Sequence, residues 1–311
     1  MDEAWAKGTM EQLLQSAYRE QRATRRWKIF FRFLWAILFI WMLWIASHPP
    51  GMGKNEVTRP HTAMIDIHGE ISSDAPSNAR WLMGSLQDAF EDKDAKAVVL
   101  LINSPGGSPV QAGLINDEIH RLKAKHKKPV YAVCTEACAS AAYYIAVAAD
   151  RIYVNKASVV GSIGVLMDGF GFTGLMDKLG VERRLLTAGD NKGLLDPFTP
   201  LDSKQKAFAQ AMLDDIHRQF IDVVKLGRGD RLKGGPEVFS GLFWTGDRAV
   251  ELGLADALGS LDSVARDIVQ AEEIIDYTRS ENVAERLVKR FGMSVGAGLY
   301  QSMSQTQTLP R

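Results

Sequence analysis

Short apolar runs separated by helical patterns restrict this chain to few architectures. "TAMIDIHG" (62–69) alternates apolar and polar residues, "AVVLLIN" (97–103) and "PVYAVC" (129–134) are continuous apolar runs, and "DRIYVN" (150–155) and "VERRLLT" (181–187) close the series. Alternation marks a strand covered on one face, and a continuous apolar run marks one covered on both. Between them, "SNARWLMGSLQDAFED" and "VQAGLINDEIHRLKAKH" carry apolar residues at helical spacing. The order predicts an α/β domain with a mostly parallel sheet. Further on, "LDSKQKAFAQAMLDDIHRQFIDVVKLG" (201–227) reads as one long helix. With 311 residues and 46% hydrophobic content, the chain can bury one large core or two modest ones.

The N-terminus follows a different pattern. "WKIFFRFLWAILFIWMLWIAS" is apolar from Ile29 to Ala46 apart from Arg32. Such a run rises about 27 Å as a helix, close to the roughly 30 Å hydrocarbon core of a bilayer. It predicts a transmembrane signal anchor over 29–46, with Arg32 snorkelling to the headgroups and Trp27, Trp41 and Trp44 at the interfaces. Residues 1–28 hold Lys7, Arg19, Arg22, Arg25, Arg26 and Lys28, so the positive-inside rule puts them in the cytosol. The rest then lies outside, in the periplasm or at the cell surface, on a single-pass protein of the inner (plasma) membrane. A cleaved signal peptide is the competing reading, but the run exceeds a usual h-region and has no clear small-x-small site. Residues 47–60, "SHPPGMGKNEVTRP", form a proline- and glycine-rich linker. A folded domain over 61–275 and a less apolar tail over 276–311 follow.

The formal net charge is zero, so no basic excess argues for a nucleic-acid partner. Cys134 and Cys138 are too few for a disulfide framework and lack a second CxxC or a nearby histidine for zinc. They read as small buried residues.

Three stretches carry candidate chemistry. In "NSPGGSP" (103–109), Gly106 and Gly107 follow a strand and open a helix, where backbone N–H groups can face a ligand; Pro-Gly-Gly is also an ordinary turn. "VVGSIGV" (159–165) sets Ser162 between Gly161 and Gly164, again in a stretch that could be a simple turn. "ACASAAYYIA" (137–146) places Ser140 among small residues, where a serine can merely back-bond to the preceding turn of a helix.

A nucleophilic Ser140 would need a base. The histidines are His48, His61, His68, His120, His126 and His217, none beside the glycine turns in sequence, although a triad assembles only in space. "LTAGDNKGLLDPF" offers Lys192 on an irregular, glycine-flanked segment, where a surface charge is the plain alternative. A lysine must fall from a reference pKa near 10.4 to roughly 7–8 to serve as a base, a cost of about 4 kcal/mol that burial can supply.

Taken in order, "INSPGG", "EACASAAYYIAVAAD", "GSIGV", "GDNKGLLDPF" and "FSGLFWTGDRAVELGLADALG" resemble the signal peptide peptidase A (protease IV) family of membrane-anchored bacterial serine peptidases, in its short single-domain form. The similarity extends over about residues 60 to 270. It implies a Clp protease/crotonase-like fold. It also implies Ser140 as nucleophile, Lys192 as general base, Ser162 hydrogen-bonded to the lysine amine, and an oxyanion hole from Gly107 and the N–H of Ala141. Relatives often place glycines directly after the nucleophile, where this chain has Ala141 and Ala142.

The resemblance further implies endopeptidase action on hydrophobic extended peptides such as released signal peptides, without cofactor or metal. It implies a homo-oligomer in which neighbouring subunits complete each site. No ATPase motif equips the chain to unfold a folded substrate. Two other classes remain open: a crotonase-like acyl-CoA hydratase or isomerase, and a catalytically silent membrane scaffold.

Overall fold

The computed structural model describes residues 25–42 and 59–279. The first stretch is a helix, α1 (residues 25–42), whose side chains, including Trp27, Phe33 and Trp35, are exposed. Among the described residues no helix is long and apolar enough to cross a membrane. The end of the expected anchor (43–46), most of the linker and the tail beyond Arg279 lie outside the described residues.

Residues 59–279 fall within one compact unit. Its sheet is built from β1 (His61–His68), β2 (Ala95–Ser104), β3 (Val130–Ala139), β4 (Arg151–Val154), β5 (Val159–Gly161), β6 (Phe243–Thr245), β7 (Ala257–Leu258) and β8 (Ile274–Asp276). The strand order is β6-β5-β3-β2-β1-β8, with β4 lying off β3 and bridging to β7. Every pairing is parallel except β5 with β6. The long helices are α2 (Ala79–Glu91), α3 (Pro109–His126) and α6 (Ser203–Arg228); the short ones are α4 (Ala141–Ala146), α5 (Thr173–Leu179), α7 (Gly246–Glu251) and α8 (Leu261–Ser263). The expected α/β architecture with a mostly parallel sheet is therefore present.

Local chemistry sets the helix starts. The Asn78 side chain accepts from the Trp81 N–H (3.0 Å) to cap α2. Ser108 caps α3 with Pro109 in the first turn, and Asp202 accepts from the Lys204 N–H (2.6 Å) at the start of α6. The main core lies between the sheet and α2, α3, α4 and α6, where Ile65, Leu100, Ile102, Ile115 and Ile119 are all fully buried. Each such side chain contributes about 1.5–3 kcal/mol. A smaller cluster of Val99, Val133, Tyr153 and Val264 sits apart from it.

β3 controls the site because it changes partner along its length. Tyr131–Cys134 pair with β4, whereas Ala137–Ala139 pair with β5, and the register against β2 shifts between Ile102 and Ser104. The fork ends at Ser140.

One strand expectation fails. Residues 181–187 form no strand and are exposed, with Leu186 97% accessible. Their apolar residues pair with no strand of the sheet, and the whole stretch from Leu166 to Leu201 is largely solvent-facing.

Candidate active site

Ser140 occupies the junction between β3 and α4, not the interior of a helix. Its backbone is at φ 54°, ψ −125°, outside the regions a non-glycine residue ordinarily adopts. Such a conformation costs on the order of 1–3 kcal/mol and persists only where neighbours hold it. Here they do: the Ser140 N–H donates to Gly161 O (2.8 Å), and Ser140 O accepts from the Tyr144 N–H (3.0 Å). A sharp strand-to-helix turn of this kind lifts a serine hydroxyl out of the sheet. Small neighbours make it possible, since Ala139, Ala141 and Ala142 are all buried.

The Pro-Gly-Gly turn packs directly against this junction. A Cβ on Gly106 would lie 2.6 Å from Ser140 Cβ and 3.0 Å from the Ala141 nitrogen, so only glycine fits. At Gly107 a Cβ would meet the Ile71 carbonyl oxygen at 2.2 Å. Ile71 donates to Gly106 O (2.9 Å) and accepts from the Ser108 N–H (2.8 Å). In that parallel bridge the intervening Gly107 N–H points away from Ile71. Among the described residues neither the Gly107 nor the Ala141 N–H has a backbone acceptor.

These groups converge on a cleft of about 680 Å³ lined by Gly107, Ser140, Ala141, Ser162 and Gly164 on one side. Tyr144, Ile216, His217 and Phe220 form part of the rest. Tyr144 and Phe220 pack ring to ring at 5.1 Å. Burial, and then the charge of Asp117, hold the Tyr144 phenol above its ordinary value, so it stays neutral. Ser162 is a second non-glycine residue at positive φ (51°), with its N–H on Leu242 O (2.8 Å).

Four of the five expected site residues, Ser140, Ser162, Gly107 and Ala141, therefore line one cleft. Lys192 does not line it. It sits in a turn closed by its own N–H on Gly189 O (3.1 Å), exposed, and has no ion-pair partner among the described residues. The segment carrying it is held by a small aromatic tuft, with Phe172 and Phe198 stacked at 5.5 Å and Arg183 over Phe198. Phe170 adjoins Phe172 at 6.4 Å and is 80% exposed, and Leu166, equally exposed, borders the Ser140 cleft.

His217 is the cleft residue that sequence spacing misses. It lies on α6 and meets the second glycine turn only in space, through Ile163 O at 3.0 Å. An apolar-polar pattern on a long helix gives no hint of which polar position faces a distant turn. The cysteines are free and buried, and burial, followed by the Cys134 thiol beside it, pushes the Cys138 thiol well up. Among the described residues no cluster of three or more His, Cys, Asp or Glu side chains could hold a metal ion.

The profile of peptidase family S49 matches residues 122–274, and that of the Clp protease matches residues 61–160. A protein of Methanocaldococcus jannaschii named as a protease is 31% identical over 228 residues, covering 71% of this chain and 73% of that one. A protein of Enterococcus faecium named as a signal peptide peptidase is 27% identical over 243 residues, or 73% of this chain and 70% of that one. The Na(+)/H(+) antiporter NhaA of Brucella melitensis is 43% identical over 228 residues, but this chain spans only 31% of its length. A strained serine at the end of a forked parallel strand, sharing a cleft with two residues whose N–H groups have no backbone acceptor, fits a serine hydrolase of Clp-like fold. The chain belongs to peptidase family S49.

Proposed function

We propose that this protein is a serine endopeptidase in which Ser140 attacks a peptide carbonyl and Lys192 takes its proton. The Gly107 and Ala141 N–H groups would hold the developing oxyanion, and Ser162 would orient the lysine amine. The observation carrying this reading is the convergence of Ser140 with two unpaired N–H groups on one cleft. Donors fixed in advance where negative charge develops supply a large share of acyl-transfer catalysis.

The position of Lys192 bears on how the base arrives. It stands on an exposed, apolar segment and is not among the residues that line the Ser140 cleft. Exposed leucines and phenylalanines in such number mark a surface that another chain covers. We therefore propose a homo-oligomer in which the Lys192 segment of one copy completes the Ser140 cleft of the next. Covering the segment would also bury the amine, which a lysine needs to be neutral near physiological pH.

Cleft walls of Tyr144, Ile216 and Phe220 suit apolar side chains, and a cleft of this size takes extended chain rather than folded protein. Hydrophobic peptides such as released signal peptides are the proposed substrates, in keeping with the name of the Enterococcus relative. The apolar run at 29–46 supports an anchor, with the N-terminus in the cytosol and the peptidase domain outside. The test is hydrolysis of an apolar peptide ester by the full chain in detergent, together with fluorophosphonate labelling. Ser140→Ala should abolish both, and Lys192→Ala should abolish turnover. Full turnover by either variant would remove the dyad.

A further inference from the structure

We infer that His217 is a positioning residue for the Ser162 turn, its ring holding the Ile163 carbonyl so that the Ser162 hydroxyl stays aimed into the cleft. This rests on the Ser140–Lys192 reading, in which Ser162 orients the lysine amine. His217 Nε2 lies 3.0 Å from Ile163 O. A carbonyl only accepts, so Nε2 carries a proton and donates it to Ile163 O.

The turn needs such a hold. Ser162 sits at φ 51°, and its carbonyl accepts from the Gly164 N–H (3.0 Å). A non-glycine residue in that region relaxes unless its neighbours fix it. The Ser162 N–H is tied to Leu242 O (2.8 Å), which secures the entry to the turn. The Ile163 side chain is fully buried, yet its carbonyl reaches the imidazole of a helix residue 54 positions away. His217 is thus the clamp on the far side of Ser162, and it lines the same cleft as Ser140 and Ser162. Because α6 also supplies Ile216 and Phe220 to the wall, the clamp couples the helix bearing the substrate-facing apolar groups to the turn bearing the orienting serine.

His217→Ala, His217→Gln, Ser162→Ala and the Ser162→Ala/His217→Ala double variant are compared in the full chain with an apolar peptide ester, alongside Ser140→Ala and Lys192→Ala. His217→Ala should lower kcat about tenfold, the size of one lost hydrogen bond, with KM within about twofold. His217→Gln keeps an N–H near the Nε2 position and should recover to within about threefold of wild type. The double variant should be no slower than Ser162→Ala alone, because both act on one element. His217→Gln as dead as Ser140→Ala would make His217 a reacting base and overturn the inference. So would His217→Ala at full kcat, or a double variant in which the two losses multiply. If His217→Ala is fully active while Lys192→Ala is dead, the inference falls and the dyad stands; if Ser140→Ala keeps turnover, the dyad reading fails and takes the inference with it.

Discussion

Replacing Gly106 by alanine probes the site at its tightest point. The added Cβ would stand 2.6 Å from Ser140 Cβ and 2.9 Å from the Ala139 carbonyl oxygen. Ordinary carbon contacts begin near 3.5 Å, so the junction must open by roughly 1 Å. Backbone strain adds to this, since Gly106 is at φ +109°, for about 1–3 kcal/mol. A displacement of about 1 Å at a reacting group costs on the order of 100-fold in rate. Gly106→Ala is therefore expected to lose about 100-fold in kcat for an apolar peptide ester and about 1–3 kcal/mol in urea unfolding. Gly113→Ala is the control: it lies within α3 with nothing within 4 Å of its added methyl, so activity should hold and stability rise by about 0.5–1 kcal/mol. A folded Gly106→Ala protein with kcat within threefold of wild type would refute the packing of the turn against Ser140.

Ser162→Ala should reduce turnover less than Ser140→Ala, because it removes an orienting hydroxyl and not a reacting one; equal losses in a kcat comparison would reassign the roles. Arg228 is 1% exposed and donates to Gly253 O and to both Asp256 carboxylate oxygens. Arg228→Met should cost about 3–5 kcal/mol in urea unfolding, and adding Asp256→Leu should recover part of that loss; strictly additive losses would contradict a paired charge. Burial would raise the Asp256 carboxyl, but the Arg228 and Ile152 hydrogen bonds and the charges of Arg228 and Arg231 outweigh it and hold the group below its ordinary value. A depressed carboxyl adds stability that is present above the unfolded value near 3.9 and is lost as pH falls below it. Acid titration of the urea midpoint should show this fall in wild type and a flatter curve in Arg228→Met; identical curves would contradict it.

The central strands were legible because "AVVLLIN" and "PVYAVC" are apolar on both faces, and only a buried strand tolerates that. The long helix over 201–227 was legible for the complementary reason, a sustained period of 3.6. "VERRLLT" misled because its apolar residues are displayed, not buried, and β propensity says nothing of whether a partner strand is near. The fork in β3 was not legible, since the polar pair Thr135 and Glu136 interrupts the apolar run just where the strand changes partner, so the sequence reads as a strand that stops at Cys134. Ser140, Ser162, Gly107 and Ala141 were reached through ordered motifs, but their convergence depends on positive-φ turns that only the folded backbone displays. Lys192 was legible as a residue type on an irregular segment, with a surface charge as its plain alternative, whereas its absence from the lining of the Ser140 cleft was not. His217 was invisible because its contact spans 54 positions.

Co-expression of Ser140→Ala and Lys192→Ala chains tests the assembly of the site most directly. In a head-to-tail ring each interface joins the serine region of one copy to the lysine region of the next. With random mixing, an interface has an even chance of an intact Ser140 and an even chance of an intact Lys192, so about a quarter of the sites should be whole. The account predicts that hydrolysis of an apolar peptide ester returns to that order in a sample shown by mass to contain both chains in one oligomer. A mixed oligomer with no activity would place both residues within a single chain and contradict it.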